Sequence, residues 1–113
     1  MKLGINTVVL GESTLEEALQ HVAWAGYQYV ELAAIKGMRE HVEIDSDVAQ
    51  IRDLLSKYEL TATAMEAATN DKERLEALMK KASEIGIGIV NIGSGAYPGK
   101  YVACIVYYSR CPA

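Results

Sequence analysis

Residues 13–34, Ser13-Thr-Leu-Glu-Glu-Ala-Leu-Gln-His-Val-Ala-Trp-Ala-Gly-Tyr-Gln-Tyr-Val-Glu-Leu-Ala-Ala34, change hydrophobic period halfway along. Leu15, Ala18, Leu19, Val22 and Ala23 recur at helical spacing and share one helix face. From Tyr27 to Ala34 the side chains alternate instead, with Tyr29, Glu31 and Ala33 opposed to Val30 and Leu32, as on a strand. Ser13 with Glu16 reads as a capping box that starts the helix, and Gly26 stops it. The stretch is one helix delivered into one strand, and the same unit recurs on both sides of it.

Upstream, residues 2–9 (Lys-Leu-Gly-Ile-Asn-Thr-Val-Val) are β-rich and too short for a typical helix. Downstream, residues 35–45 form a loop carrying Lys36, Gly37, Arg39, Glu40 and His41. Asp45 or Ser46 caps a second helix whose apolar face is Val48, Ile51, Leu54, Leu55 and Tyr58. A third strand covers Leu60 to Glu66. Asn70 with Glu73 opens a third helix, striped by Leu75, Leu78, Met79, Ala82 and Ile85 as far as Gly86. The fourth strand, Ile87 to Ile92, runs into Gly93-Ser94-Gly95. The order βαβαβαβ, with crossovers long enough to hold helices, predicts parallel neighbours joined by right-handed connections.

Residues 1–95 form one unit without an internal boundary, and residues 96–113 are a different, apolar tail. That tail holds both prolines, Cys104 and Cys111, and no acid. Its uncharged run Tyr101–Tyr108 reads as a short terminal strand or as a departure from the βα plan, and is an aggregation hazard if exposed. In the whole chain of 113 residues, 11 basic side chains face 15 acidic ones, half the residues are hydrophobic and 23% are charged. That balance suits one soluble globular domain and argues against disorder and against a nucleic-acid backbone as partner. No apolar stretch reaches the length of a membrane span, and the first residues lack the apolar run of a signal peptide. Two cysteines so near the end make no disulfide framework, and the chain reads as cytoplasmic.

In parallel βα folds ligands bind where strands end at their carboxyl side. Each predicted strand offers one polar side chain there: Asn6, Glu31, Glu66 and Asn91. On the third strand Glu66 continues the Ala62, Ala64 parity. A carboxylate among apolar neighbours needs a partner or a ligand, and for Glu31 the alternatives are Lys2 and Lys36. Asn91 has the alternative of satisfying loop backbone. His41 lies on the same side, although a lone His in a polar loop is more often solvated than catalytic. His21, beside the first apolar stripe, reads as structural. Gly93-Ser94-Gly95 offers backbone N–H groups to a phosphate or is a plain turn, lacking the lysine of a P-loop and dinucleotide spacing. Cys104 and Cys111 lack zinc-site partners, and no serine nucleophile elbow or His-Glu-x-x-His helix occurs.

Lys2-Leu-Gly-Ile-Asn-Thr7, Ala25-Gly-Tyr-Gln-Tyr-Val-Glu-Leu32 and Leu54-Leu-Ser-Lys-Tyr-Glu-Leu60, in that order and spacing, resemble the xylose isomerase-like TIM-barrel family over residues 1 to about 95. This is the group of sugar and sugar-phosphate isomerases and epimerases, to which endonuclease IV is related. The resemblance implies a (β/α)8 barrel with a divalent metal (Mn, Mg, Co or Zn) at its mouth, and proton transfer between adjacent carbons of a sugar. It places the metal-binding and proton-transferring acids mainly on strands five to eight, so it carries Glu31 over to a pocket wall or a supporting role. Asn6, Glu66 and Ser94 match positions near the mouth. Glu59 stands where relatives often have Gly after the second helix, which costs about 1 kcal/mol if the backbone there is left-handed.

A full barrel takes about 250 residues. The expected fold is therefore α/β, the parallel βαβαβαβ half of a (β/α)8 barrel, with strands in chain order and helices on one side. The alternative is a small doubly wound sheet with helices on both faces. The expected function is sugar or sugar-phosphate isomerase/epimerase-like, with the chain inactive by itself. The alternative is a non-catalytic carbohydrate-binding or self-associating half-barrel. Asn6, Glu31, Glu66, Asn91, Ser94 and His41 are the candidate substrate-binding residues, and no metal ligand is assigned. Open strand edges predict self-association.

Overall fold

Helix α1 (Leu15–Trp24) starts at Thr14, whose Oγ1 accepts the Glu17 N–H while the Glu17 carboxylate accepts the Thr14 N–H, both at 3.2 Å. The capping box thus lies one residue beyond Ser13 and Glu16. Helix α2 (Val48–Lys57) is capped by Asp47, whose carboxylate accepts the Ala49 N–H, and not by Asp45 or Ser46. Ser46 instead accepts the Glu43 N–H within the preceding turn. Helix α3 (Lys72–Ile85) is capped by Asp71 rather than Asn70. At each start several capping residues stand side by side, and the one that fires is the last to keep an extended backbone before the helix.

The three helices end alike. Gly26 N–H bonds Ala23 O and Tyr27 N–H bonds Val22 O; Glu59 bonds Ser56 O and Leu60 bonds Leu55 O; Gly86 bonds Ser83 O and Ile87 bonds Ala82 O. Each is a Schellman ending with a left-handed residue, φ 91° at Gly26, 54° at Glu59 and 101° at Gly86. Each ending throws an apolar residue, Tyr27, Leu60 or Ile87, back onto the core.

The computed structural model describes residues 2–93 and the strand at 104–108. Strands β1 (Gly4–Asn6), β2 (Tyr29–Ile35), β4 (Thr61–Glu66) and β5 (Ile89–Gly93) pair in parallel in that order. Strand order follows chain order without reversal, so the doubly wound alternative is excluded. Right-handed crossovers then put all three helices on one face. Two elements lie outside the βα series. In the loop after β2, strand β3 (Arg39–Glu40) folds back antiparallel on Ile35 and Ala34. Beyond β5, strand β6 (Cys104–Tyr108) pairs with it antiparallel, and the rest of the tail lies outside the described residues. Among the described residues no helix is long and apolar enough to cross a membrane.

Strand β1 is shorter than residues 2–9. The Asn6 side chain accepts the Val8 N–H at 2.9 Å and turns Thr7–Leu10 into a 3-10 helix. Thr7, fully buried, then uses its hydroxyl to accept the Ala33 N–H at 2.9 Å, so a side chain continues the ladder where the β1 backbone has left it. The core is the layer between sheet and helices: Val30, Leu32, Met65 and Val90 against Leu19, Val22, Ile51, Leu55, Leu78 and Ala82. Outside it, Lys57 and Tyr58 both donate to the Glu16 carboxylate and fasten α2 to α1.

The β2–β4 pairing slips once: Val30 faces Ala62, but Glu31 faces Ala64, leaving Thr63 unpaired as a bulge. Ala62 accordingly packs on the helix-side core, and only Ala64 and Glu66 share the parity of Glu31, which corrects the continuous Ala62–Ala64–Glu66 series.

Of the three left-handed helix ends, only Glu59 carries a side chain. Glu59→Gly should raise the unfolding free energy by about 0.5–1 kcal/mol, read as a higher urea midpoint at unchanged m-value.

Candidate functional site

The sheet face away from the helices carries four polar side chains: Asn6 and Glu66 are the last residues of their strands, while Glu31 and Asn91 are each the third residue of theirs. In register, Asn6 lies beside Glu31, and Glu66 lies beside Asn91. The hydrogen bonds run diagonally across this layer. The Asn6 amide donates to Glu66 at 2.5 Å, passing over β2, and the Asn91 amide donates to Glu31 at 2.5 Å, passing over β4. Four residues drawn from four strands thus form two parallel diagonal pairs in one layer, with the glutamates on the two inner strands. Glu31 is partnered by Asn91 and not by Lys2, which sits over the Tyr29 ring. Buried alanines, Ala33 and Ala64, lie beside the carboxylates and leave them room.

Burial pushes the Glu31 carboxyl above the usual carboxylate range. The Asn91 hydrogen bond works against that shift, and the negative charge of Glu66 adds to it.

His41 belongs elsewhere and is not solvated. It is buried, with Nε2 2.9 Å from the carbonyl oxygen of Ser13, at the side of a pocket of about 400 Å³ between the starts of α1 and α2. A carbonyl partner makes Nε2 the donor, so His41 ties the β2 loop to the entrance of α1. The antiparallel return of β3, invisible to helix periodicity, carries it there. His21 is exposed and meets Trp24 edge to face, with ring centres 5.6 Å apart. Ser94 lies outside the described residues. Its neighbour Gly93 has no N–H to offer a phosphate, since that group bonds Thr69 O at 3.0 Å. A Cβ at Gly93 would come within 3.0 Å of the Ala68 backbone, so this glycine serves close packing.

Arg74 gave no signal in the sequence. Its guanidinium donates to the Ala34 carbonyl at 2.9 Å and lies 3.9 Å from the Glu40 carboxylate, holding the end of β2 to the first turn of α3. It also lines an open pocket of about 370 Å³ with Lys36 and Thr69, which none of the four network residues borders.

Among the described residues no three of His, Cys, Asp and Glu converge as a metal site needs. Glu31 and Glu66 are two, each already bonded to an amide, and His41 is turned to Ser13. The divalent metal that the resemblance implies does not fit this donor set.

No family model matches the chain, and no curated protein does. Solved structures do. An uncharacterized protein from Parabacteroides distasonis ATCC 8503 superposes with a TM-score of 0.67 and 21% identity, over 80% of this chain and 42% of that one. A xylose isomerase domain containing protein from Salmonella typhimurium LT2 gives 0.61 and 21%, over 74% of this chain and 33% of the other. The chain thus spans less than half the length of either. The likeness is one of fold: the parallel sheet and its three helices are the βαβαβαβ half of a xylose isomerase-like TIM barrel.

Because the native Glu31 midpoint lies above the unfolded one, its share of stability falls as pH rises through that interval and is flat above it. Asn91→Ala, which removes the opposing hydrogen bond, should move the Glu31 midpoint further up, and Glu66→Gln should move it down. A side-chain carboxyl NMR titration reads both directions.

Proposed function

We propose that the Asn6, Glu31, Glu66, Asn91 layer is part of the sugar-binding face of an isomerase- or epimerase-like protein acting on a sugar or sugar phosphate. The observation that carries the reading is the layer itself, two carboxylates held by two amides across four parallel strands, with Asn6 and Glu66 at the carboxyl ends of theirs. That is the side on which barrels of this fold bind ligands. The similar domain from Salmonella typhimurium, described as a xylose isomerase domain protein, supports the sugar class. Within the network Asn6 and Asn91 hold the glutamates in place, and the glutamates face the ligand.

Moving a proton between adjacent carbons requires an acid, a base and an electrophile for the enediolate oxygen, distributed around the substrate. Glu31 and Glu66 stand on neighbouring strands and reach a ligand from one side. The described residues also leave this face open to water, which weakens each electrostatic contact. The chain by itself therefore acts as a binding half-site, and turnover belongs to a complete mouth.

With a ketose such as D-xylulose, the side-chain amide NMR signals of Asn6 and Asn91 should shift in a saturable way, in the millimolar range expected of a small polar ligand on an open face. Solvent deuterium should not enter the sugar above a metal-only blank. Unmoved Asn6 and Asn91 signals would sink the sugar reading; deuterium incorporation would overturn the half-site reading.

A further inference from the structure

We infer that this amide–carboxylate layer receives a neutral, hydroxyl-bearing stretch of a polyol and turns away phosphate and carboxylate groups. The inference rests on the sugar reading above and decides which part of such a ligand this face accepts. Each Asn amide lends one N–H to a glutamate and keeps a second, while each glutamate keeps an oxygen, Oε2 on Glu31 and Oε1 on Glu66, outside the network. Across the layer two donors, Asn6 and Asn91, thus flank two adjacent acceptors, Glu31 and Glu66. A hydroxyl donates and accepts at once, so it can give its proton to a free glutamate oxygen and accept from a free amide N–H. A phosphate only accepts, and would meet two carboxylates.

No described cationic side chain is bonded to either glutamate. Lys2 lies over the Tyr29 ring, 5.4 Å from its centre, near the start of β2 and away from the mouth. Arg74 is committed to the Ala34 carbonyl and, with Lys36, lines the separate pocket beside Thr69. The Gly93 N–H, which could have stabilised an anion near Asn91, is consumed by Thr69.

The test compares xylitol with xylitol 5-phosphate on the intact chain at neutral pH and low salt, followed through the Asn6 and Asn91 side-chain amide signals. Xylitol should bind at least about tenfold more tightly than its phosphate. The preference should narrow in high salt, which screens the glutamates, and in Glu66→Gln, which keeps an acceptor for Asn6 and removes a charge. If that variant does not fold, the salt series on the unaltered chain carries the same information. Equal or tighter binding of the phosphate, with both amides responding, would overturn the inference and leave the sugar reading standing. If neither compound moves the two amides, both fall together.

Discussion

Parallel strands cannot be closed by tight turns, and the constraint shapes everything else in this chain. Each strand must return through a helix, and the right-handed crossover lays every helix on the same face of the sheet. Burial is therefore one-sided. Val30, Leu32, Met65 and Val90 find their partners in the helices, whereas the opposite parity has no helix to meet. Polar side chains on that second face must satisfy one another, and the diagonal bonds of Asn6 to Glu66 and of Asn91 to Glu31 do so across four strands. The candidate site and the bare face are two results of one topological fact.

The helix endings decide where strands begin. In all three joints a left-handed residue is followed by an apolar one that drops into the core, and the strand starts within two residues of it. At the opposite ends, side chains take over when backbone pairing stops. Thr7 replaces a missing β1 carbonyl for Ala33, and Arg74 satisfies the Ala34 carbonyl. Strand β2 is thus held to its last residues, beyond the reach of β1, and it is these residues that shape the mouth.

Periodicity made the fold legible, because a stripe such as Leu15, Ala18, Leu19 and Val22 needs no partner to be recognised. The same holds for Asn6, Glu31 and Asn91, which parity brings to one layer, whereas Glu66 reaches it only through the bulge at Thr63. What stayed hidden depends on pairing. No pattern in residues 35–45 announces the two-residue strand Arg39–Glu40, yet that return buries His41 against Ser13. Nor does anything in Asn70-Asp71 say which side chain takes the cap. The choice of Asn91 over Lys2 as partner for Glu31 likewise follows from cross-strand register, a quantity that one sequence does not contain.

The bulge at Thr63 shows how little separates a site from a plain sheet. Side chains on a strand alternate, so one unpaired residue exchanges the two faces for everything after it. With Thr63 looped out, Met65 enters the core and Glu66 joins Asn6. With unbroken pairing, the acid would point into the hydrophobic layer and the methionine into the mouth. In evolutionary terms, losing the Thr63 codon would let Ala64 follow Ala62 in the ladder and leave the surface as it is, whereas pairing Thr63 in place would turn every later side chain over. A relative lacking only this residue would therefore present the same acid to a ligand, and the bulge is the device by which the sheet absorbs an inserted residue.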